Sequence, residues 1–243
     1  MNGECYSLRV QGRLLDASVE DQVDFIITEI IDSLPDAKQL SDDERRGIIS
    51  RYTAVLEGNF IYWMSGAYLS VRSEEARPIL LENLHEEVRD CHPGMLRRFA
   101  LAARAFPTHS DALAVHPELM KVRQFVGRLS GVRMVLMMAF FEGFIQRFMG
   151  FLEELATFQG SVEREYTEVH GVCDVAHTRE LFRALSAEMA LRQHQLVTED
   201  YEGVYLLRSL IESIVRGAPE HSHKHSNGFQ SAYSIDSHGA VRP

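Results

Sequence analysis

His170, Asp174 and His177 lie in the run EVHGVCDVAHTRELF at spacing i, i+4, i+7. On an α-helix these three side chains fall within roughly 60° of one another. Two imidazoles and a carboxylate on one stripe make an N/O donor set suited to iron, manganese or zinc. The plainer reading is the polar face of an amphipathic helix, since Glu163, Glu165 and Glu168 give this segment a solvated side. Against it, Tyr166, Val169, Cys173 and Ala176 flank the stripe, so the polar line borders core-type residues.

Two other places carry donors. Glu142 stands in MVLMMAFFEGFIQRFMGFL, with Met138, Ala139, Ile145 and Gln146 about one turn away. A lone carboxylate there would cost several kcal/mol unless paired with an arginine such as Arg133 or Arg147, kept neutral, or bound to a metal. The segment NLHEEVRDCHPGMLRRF offers Glu87 and His92, with Glu86, His85 and Asp90 also available, so the donor assignment stays open between them. Glu57, in LEGNFIYW, is a possible further carboxylate ligand or else a helix-end surface acid. His221, His223 and His225 alternate in a polar tail, a spacing that offers a metal no preformed geometry.

The elements that must position these donors read as helical. The chain has 243 residues, 45% of them hydrophobic with 13 Phe and 9 Met, enough apolar material for a sizeable core. Amphipathic or apolar periodicity covers 18–34, 42–56 and onward through GNFIYWMSGAYLSV, a stretch from Ser73, and a stretch resuming after Pro93 and Gly94. A further helix is expected to begin near Pro117 after a turn at 107–111. The long apolar helix follows over about 131–158, then a helix over about 162–177, which HTREL either continues or follows with a new one through the amphipathic residues 179–195, and DYEGVYLLRSLIESIVRG closes the fold. Ser41 suits an N-cap, and Gly58 a kink. No alternating strand pattern or internal repeat is visible. The expectation is one all-α domain of about seven helices over 15–216, with an irregular segment at 1–14 and a flexible, His-containing tail at 217–243.

A formal net charge of -10 argues against nucleic acid as a partner. Arg133, Glu142, Gln146 and Arg147 interrupt the most apolar stretch, which therefore reads as a buried helix and not a membrane span. Three widely separated cysteines form no disulfide framework, and the N-terminus has no secretory pattern, so a cytoplasmic location is expected.

The order of donors resembles that of the haem-oxygenase-like di-iron oxygenases and oxidases, over about residues 40–210. Their pattern is a Glu and a His in an NLxDE…HxxLWxxF segment, a Glu on the next core helix, then HxxxDxxH. Here the last element is His170-x3-Asp174-x2-His177, and Glu142 lies 28 residues before it. Alignment on NL and on RRF places Glu87 and His92 at the first two positions, across a linking loop that is short and lacks the usual glycine. The resemblance implies a haem-oxygenase-like bundle holding two Fe ions, loaded as Fe2+, through Glu87, His92, Glu142, His170, Asp174 and His177, with O2 as co-substrate and an external reductant. Members that oxygenate nitrogen carry an additional carboxylate ligand on an earlier helix, and Glu57 followed by GNF looks like it. The implied activity is N-oxygenation of a small amine, amino-acid-derived or heterocyclic, to an N-hydroxy or nitro product in specialised-metabolite biosynthesis. The alternatives are oxidative C–C cleavage on the same centre, or a metal-free helical binding module. The expected partners are the amine and O2, without nucleic acid or membrane, and the chain could form a homodimer. Phe60, Trp63, Phe141, Phe144 and Tyr166 are the aromatic candidates for a pocket lining.

Overall fold

A computed structural model describes residues 17–217, apart from the side chains of Val172 and Cys173. The N-terminal segment 1–14 and the tail with His221, His223 and His225 lie outside the described residues. Within them the chain forms eight α-helices: α1 (Val19–Asp32), α2 (Asp42–Ser70), α3 (Ala76–Arg89), α4 (His92–Ala102), α5 (His109–Val126), α6 (Gly131–Phe158), α7 (Glu165–Ala190) and α8 (Glu202–Arg216). A 3-10 turn at Thr198–Tyr201 leads into α8. Among the described residues there is no strand, as an all-α bundle requires.

Local sequence sets most helix starts. The Ser18 side chain accepts from the Asp21 amide at the head of α1, whose buried Val23, Ile26, Ile27 and Ile30 fall on one face. Ser41 and Glu44 close a reciprocal capping box at α2, and Asp42 and Asp43 add negative charge where the helix dipole is positive. That helix is broken at Glu57 and Gly58, where Gly58 takes φ 155°. Glycine is the residue that adopts such an angle without a Cβ clash.

Two boundaries differ from the sequence expectation. The fifth helix begins at His109, not near Pro117, because Thr108 and Asp111 form a second capping box ahead of it. Pro117 lies inside the helix, which forgoes one backbone hydrogen bond there. The break after α3 falls at Asp90 and Cys91, so Pro93 belongs to the first turn of α4, where its missing N–H loses nothing. HTREL continues α7 and starts no new helix.

Helix α6 is the axis of the bundle. It packs most extensively on α7 and also against α1, α2 and α8. It is long and apolar enough to cross a membrane, but 78% of that window is buried within the bundle. Met134 to Ile145 are buried without interruption, so this stretch faces protein on every side. Close approach of α8 depends on Gly203. A Cβ there would lie 2.7 Å from Phe125 Cε1 and 3.0 Å from Met137 Cβ. Gly203→Ala is therefore expected to destabilise the protein by about 1–3 kcal/mol through overpacking, read as a thermal midpoint lowered by several degrees with metal content per folded chain unchanged.

Candidate metal centre

Four helix segments bring the donors together. Glu86 and Glu87 close the last turns of α3, His92 opens α4, Glu142 sits midway along α6, and α7 carries His170, Asp174 and His177. His92 is turned inward by Cys91, which adopts the left-handed conformation at φ 57° without being a glycine. That conformation costs a non-glycine residue roughly 1–2 kcal/mol. The short, glycine-free loop seen in the sequence thus keeps the turn and places strain directly beside a donor.

Six of the seven candidate ligands form two buried groups, Glu87 with His92 and His170, and Glu142 with Asp174 and His177. Within each group the donor atoms lie within 4.8 Å of one another. The groups adjoin. Glu142 lines the same cavity as Glu87, His92 and His170. Glu57 belongs to neither group and is ion-paired with Arg97 of α4. Of the donors left open by the sequence, Asp90 pairs with Arg89 on the surface and His85 is exposed.

The imidazoles are oriented by specific acceptors. His170 Nδ1 lies 2.8 Å from the Tyr166 carbonyl, which can only accept, so Nδ1 carries the proton and Nε2 keeps its lone pair. Burial pushes the His170 pKa down to about 4, outweighing the pull of Glu87, so the ring is neutral at physiological pH as a ligand must be. His92 Nδ1 meets Glu87 Oε1 at 2.7 Å. Burial alone would lower the His92 pKa, but the hydrogen bond and charge of Glu87 outweigh it and raise it. His177 Nε2 is held at 2.6 Å by Glu86 Oε2. Its Nδ1 then faces Asp174 Oδ1 at 3.8 Å and Glu142 Oε2 at 4.0 Å. The adjacent acids of α3 divide the work, Glu87 joining the donors and Glu86 steering a histidine. Spacing could not assign Glu86 that role, because its partner lies 91 positions away.

The donor set fits a metal. Glu142 is 2% exposed, and among the described residues no arginine or lysine pairs with it. Arg147 is bonded to Asp24 and Thr28, and Arg133 to Asp200, so the ion pairs that could have explained Glu142 are committed elsewhere. Glu142 Oε1 and His177 Nδ1 are buried without a hydrogen-bond partner. Orphaned polar atoms of this kind each cost about 1–3 kcal/mol. A cation between them would satisfy both. Burial first, and then the charges of Asp174 and Glu87, push the Glu142 carboxyl well above the ordinary carboxylate range. A mixed imidazole and carboxylate set of this composition suits iron or manganese better than a closed zinc site.

A small cavity of about 20 Å³ opens beside the donors, walled by Leu56, Phe60, Ile61, Leu96 and Ile145. That volume admits one water-sized molecule. Of the aromatic candidates, Phe60 and Tyr166 line it. Trp63, Phe141 and Phe144 are buried in the core away from its lining. Tyr166 also meets Tyr52, 114 positions away in the chain, through a buried contact of 2.8 Å between hydroxyls.

Two outcomes follow from this geometry. Glu86→Ala should weaken metal binding about 10–100-fold, the usual effect of losing a carboxylate that orients a ligand histidine. Glu86→Gln, which keeps an acceptor for the ring N–H, should recover much of it in an anaerobic iron(II) titration. Burial and the neighbouring acids favour the protonated form of Glu142 in the metal-free protein, and metal binding must displace that proton. Affinity should therefore rise with pH, and calorimetry in buffers of different ionisation heat should show proton release on iron(II) binding. A binding heat independent of the buffer would contradict that protonation state.

No curated protein matches the chain. The family model described as iron-containing redox enzyme matches residues 50–210, a span that takes in every one of the donors above. With a helical bundle of the right kind and two buried carboxylate and histidine groups inside the matched span, the chain belongs to the iron-containing redox enzymes, a family of the haem-oxygenase-like superfamily.

Proposed function

We propose that the protein is a non-haem di-iron enzyme that uses O2 to oxidise the nitrogen of a small amine to an N-hydroxy or nitro product. The observation that carries the di-iron reading is the pairing of two adjoining donor groups, with Glu142 common to their surroundings. Glu87, His92 and His170 would hold one iron, and Glu142, Asp174 and His177 the other, with Glu142 also facing the cavity of the first group. Bound there, the two irons would supply the activation of O2.

The chain's own residues do the rest. Leu56, Phe60, Ile61, Leu96 and Ile145 keep bulk water from the donors, which strengthens every electrostatic interaction inside. The cavity as it stands is too small for an organic amine, so substrate entry requires a wall to yield. The wall from α2 is the one built on a break, where Glu57 and Gly58 leave the helical conformation between the lining residues Leu56 and Phe60. Converting an amine to a hydroxylamine inserts one oxygen atom of O2 into an N–H bond. The other atom leaves as water after taking up two electrons and two protons, so an external reductant is part of the reaction. A reducing cytoplasm would suit both that supply and iron(II) loading.

Glu57 separates this reading from oxidative C–C cleavage on the same centre. N-oxygenation draws support from the extra carboxylate beside the break in α2. Cleavage is favoured by the engagement of Glu57 with Arg97, which leaves six donors. Anaerobic iron(II) titration should reach two irons per chain, and mixing with O2 should then give a transient visible absorbance whose decay quickens with the right amine. Glu57→Ala should lower iron stoichiometry or abolish N-oxidation. Unchanged metal content and unchanged product would remove the basis for choosing nitrogen over carbon, whereas absence of iron uptake by the wild-type chain would sink the di-iron reading itself.

A further inference from the structure

A cleft far roomier than the one beside the metal donors lies elsewhere in the bundle. A space of about 330 Å³ opens between the start of α6, the end of α7, the segment after α2 and the turn before α8. It lies eleven residues before Glu142 on α6 and eleven after His177 on α7, about 16 Å along each helix. Arg72, Arg133 and Arg192 line it, three guanidinium groups in a protein of net charge -10, together with His194, Glu188 and Asp200.

Two buried carboxylates hold this lining in place. Asp200, 2% exposed, accepts from Arg133 Nε at 3.1 Å, from His194 Nε2 at 2.8 Å and from the Val197 amide at 3.0 Å. Glu188, 8% exposed, accepts the amides of Arg72 and Ser73, both at 2.9 Å, and so fixes the backbone that carries Arg72. The same carboxylate rests against Gly131, where a Cβ would stand 2.6 Å from Glu188 Oε1. Glycine is thus required at the floor of the cleft by close approach. Arg133 is committed to Asp200 and more loosely to Glu202 at 3.7 Å. Arg72 and Arg192 have no carboxylate partner among the described residues, although each lines the cleft. Guanidinium groups left unpaired around a polar hollow of ligand size present planar forks of donors that match an oxyanion.

We propose that this cleft is a binding site for a small molecule bearing an anionic oxygen group, carboxylate or phosphate, which Arg72 and Arg192 grip while Arg133 and His194 form a fixed wall. The site lies apart from the metal donors, so it would take a ligand other than the amine undergoing oxidation. Because the ends of α6 and α7 form it, occupancy would tie together the two helices that carry Glu142, His170, Asp174 and His177.

Isothermal titration of the full chain at low ionic strength with inorganic phosphate and, separately, with citrate tests the proposal. Saturable binding at one site per chain is expected, weakened at least tenfold in Arg72→Gln and in Arg192→Gln. Arg179→Gln, an exposed arginine outside the cleft, should leave it unchanged. Binding of phosphate alone would identify a phosphate ligand, of citrate alone a carboxylate, and of both a site that reads the shared oxyanion. No saturable binding of either probe, or equal loss in all three variants, would overturn the site. Thermal midpoints matching the wild type would confirm that the variants remain folded.

Discussion

Everything in this fold is arranged around a carboxylate placed where an isolated charge cannot remain. Glu142 projects from the middle of the most apolar helix of the protein and is screened from solvent on all sides. In such surroundings an acid either stays protonated or acquires a compensating cation. The arginines along the same helix are used by Asp24 and Asp200 instead, and the groups nearest Glu142 are further acids and imidazoles. Hydrophobic burial of α6 supplies the stability, and the same burial creates an electrostatic demand that a bound cation meets. A metal held by Glu142 would therefore link binding to the folding of that one helix.

The surrounding helices share this demand unequally. Helix α7 lays three donors along one stripe and fixes His170 through its own backbone, one turn back at Tyr166. Helices α3 and α4 contribute through a junction. The left-handed Cys91 lets the chain reverse between Glu87 and His92 within two residues, so a strained turn substitutes for a longer loop. Helix α2 contributes a wall broken at Gly58, beside which Glu57 is ion-paired with Arg97. The site thus combines a buried core helix, a stripe of donors, a strained corner and a wall broken at Gly58.

At the far end of the bundle, polar burial has a different outcome. Asp200 and Glu188 are buried as deeply as several of the metal donors, but each accepts hydrogen bonds from arginine, histidine or backbone amides. Burial of a carboxylate is therefore not in itself a mark of a metal site in this protein. The mark is burial without available protein donors, and that contrast separates Glu142 from Asp200.

The sequence by itself determined the helical class, the register of α1, the cap at Ser41, the extent of α6 and the common face of His170, Asp174 and His177. These depend on periodicity and on side chains within a few residues of each other, which the chain carries in order. It also made Glu142 conspicuous, because a charge inside an apolar run is anomalous before any fold is known. The start of α5 was misplaced because proline at N1 and proline inside a helix look alike locally, and the Thr108 and Asp111 box decided between them. Only the tertiary structure could separate Glu86 from Glu87, since the two are neighbours in sequence and differ only in what lies opposite: His177 for one, His92 and His170 for the other. The pairing of Glu57 with Arg97, the contact of Tyr52 with Tyr166 and the cleft around Arg72 and Arg192 likewise join residues tens to more than a hundred positions apart. Such contacts are fixed by how helices pack, and packing is a property of the whole core, not of any one segment.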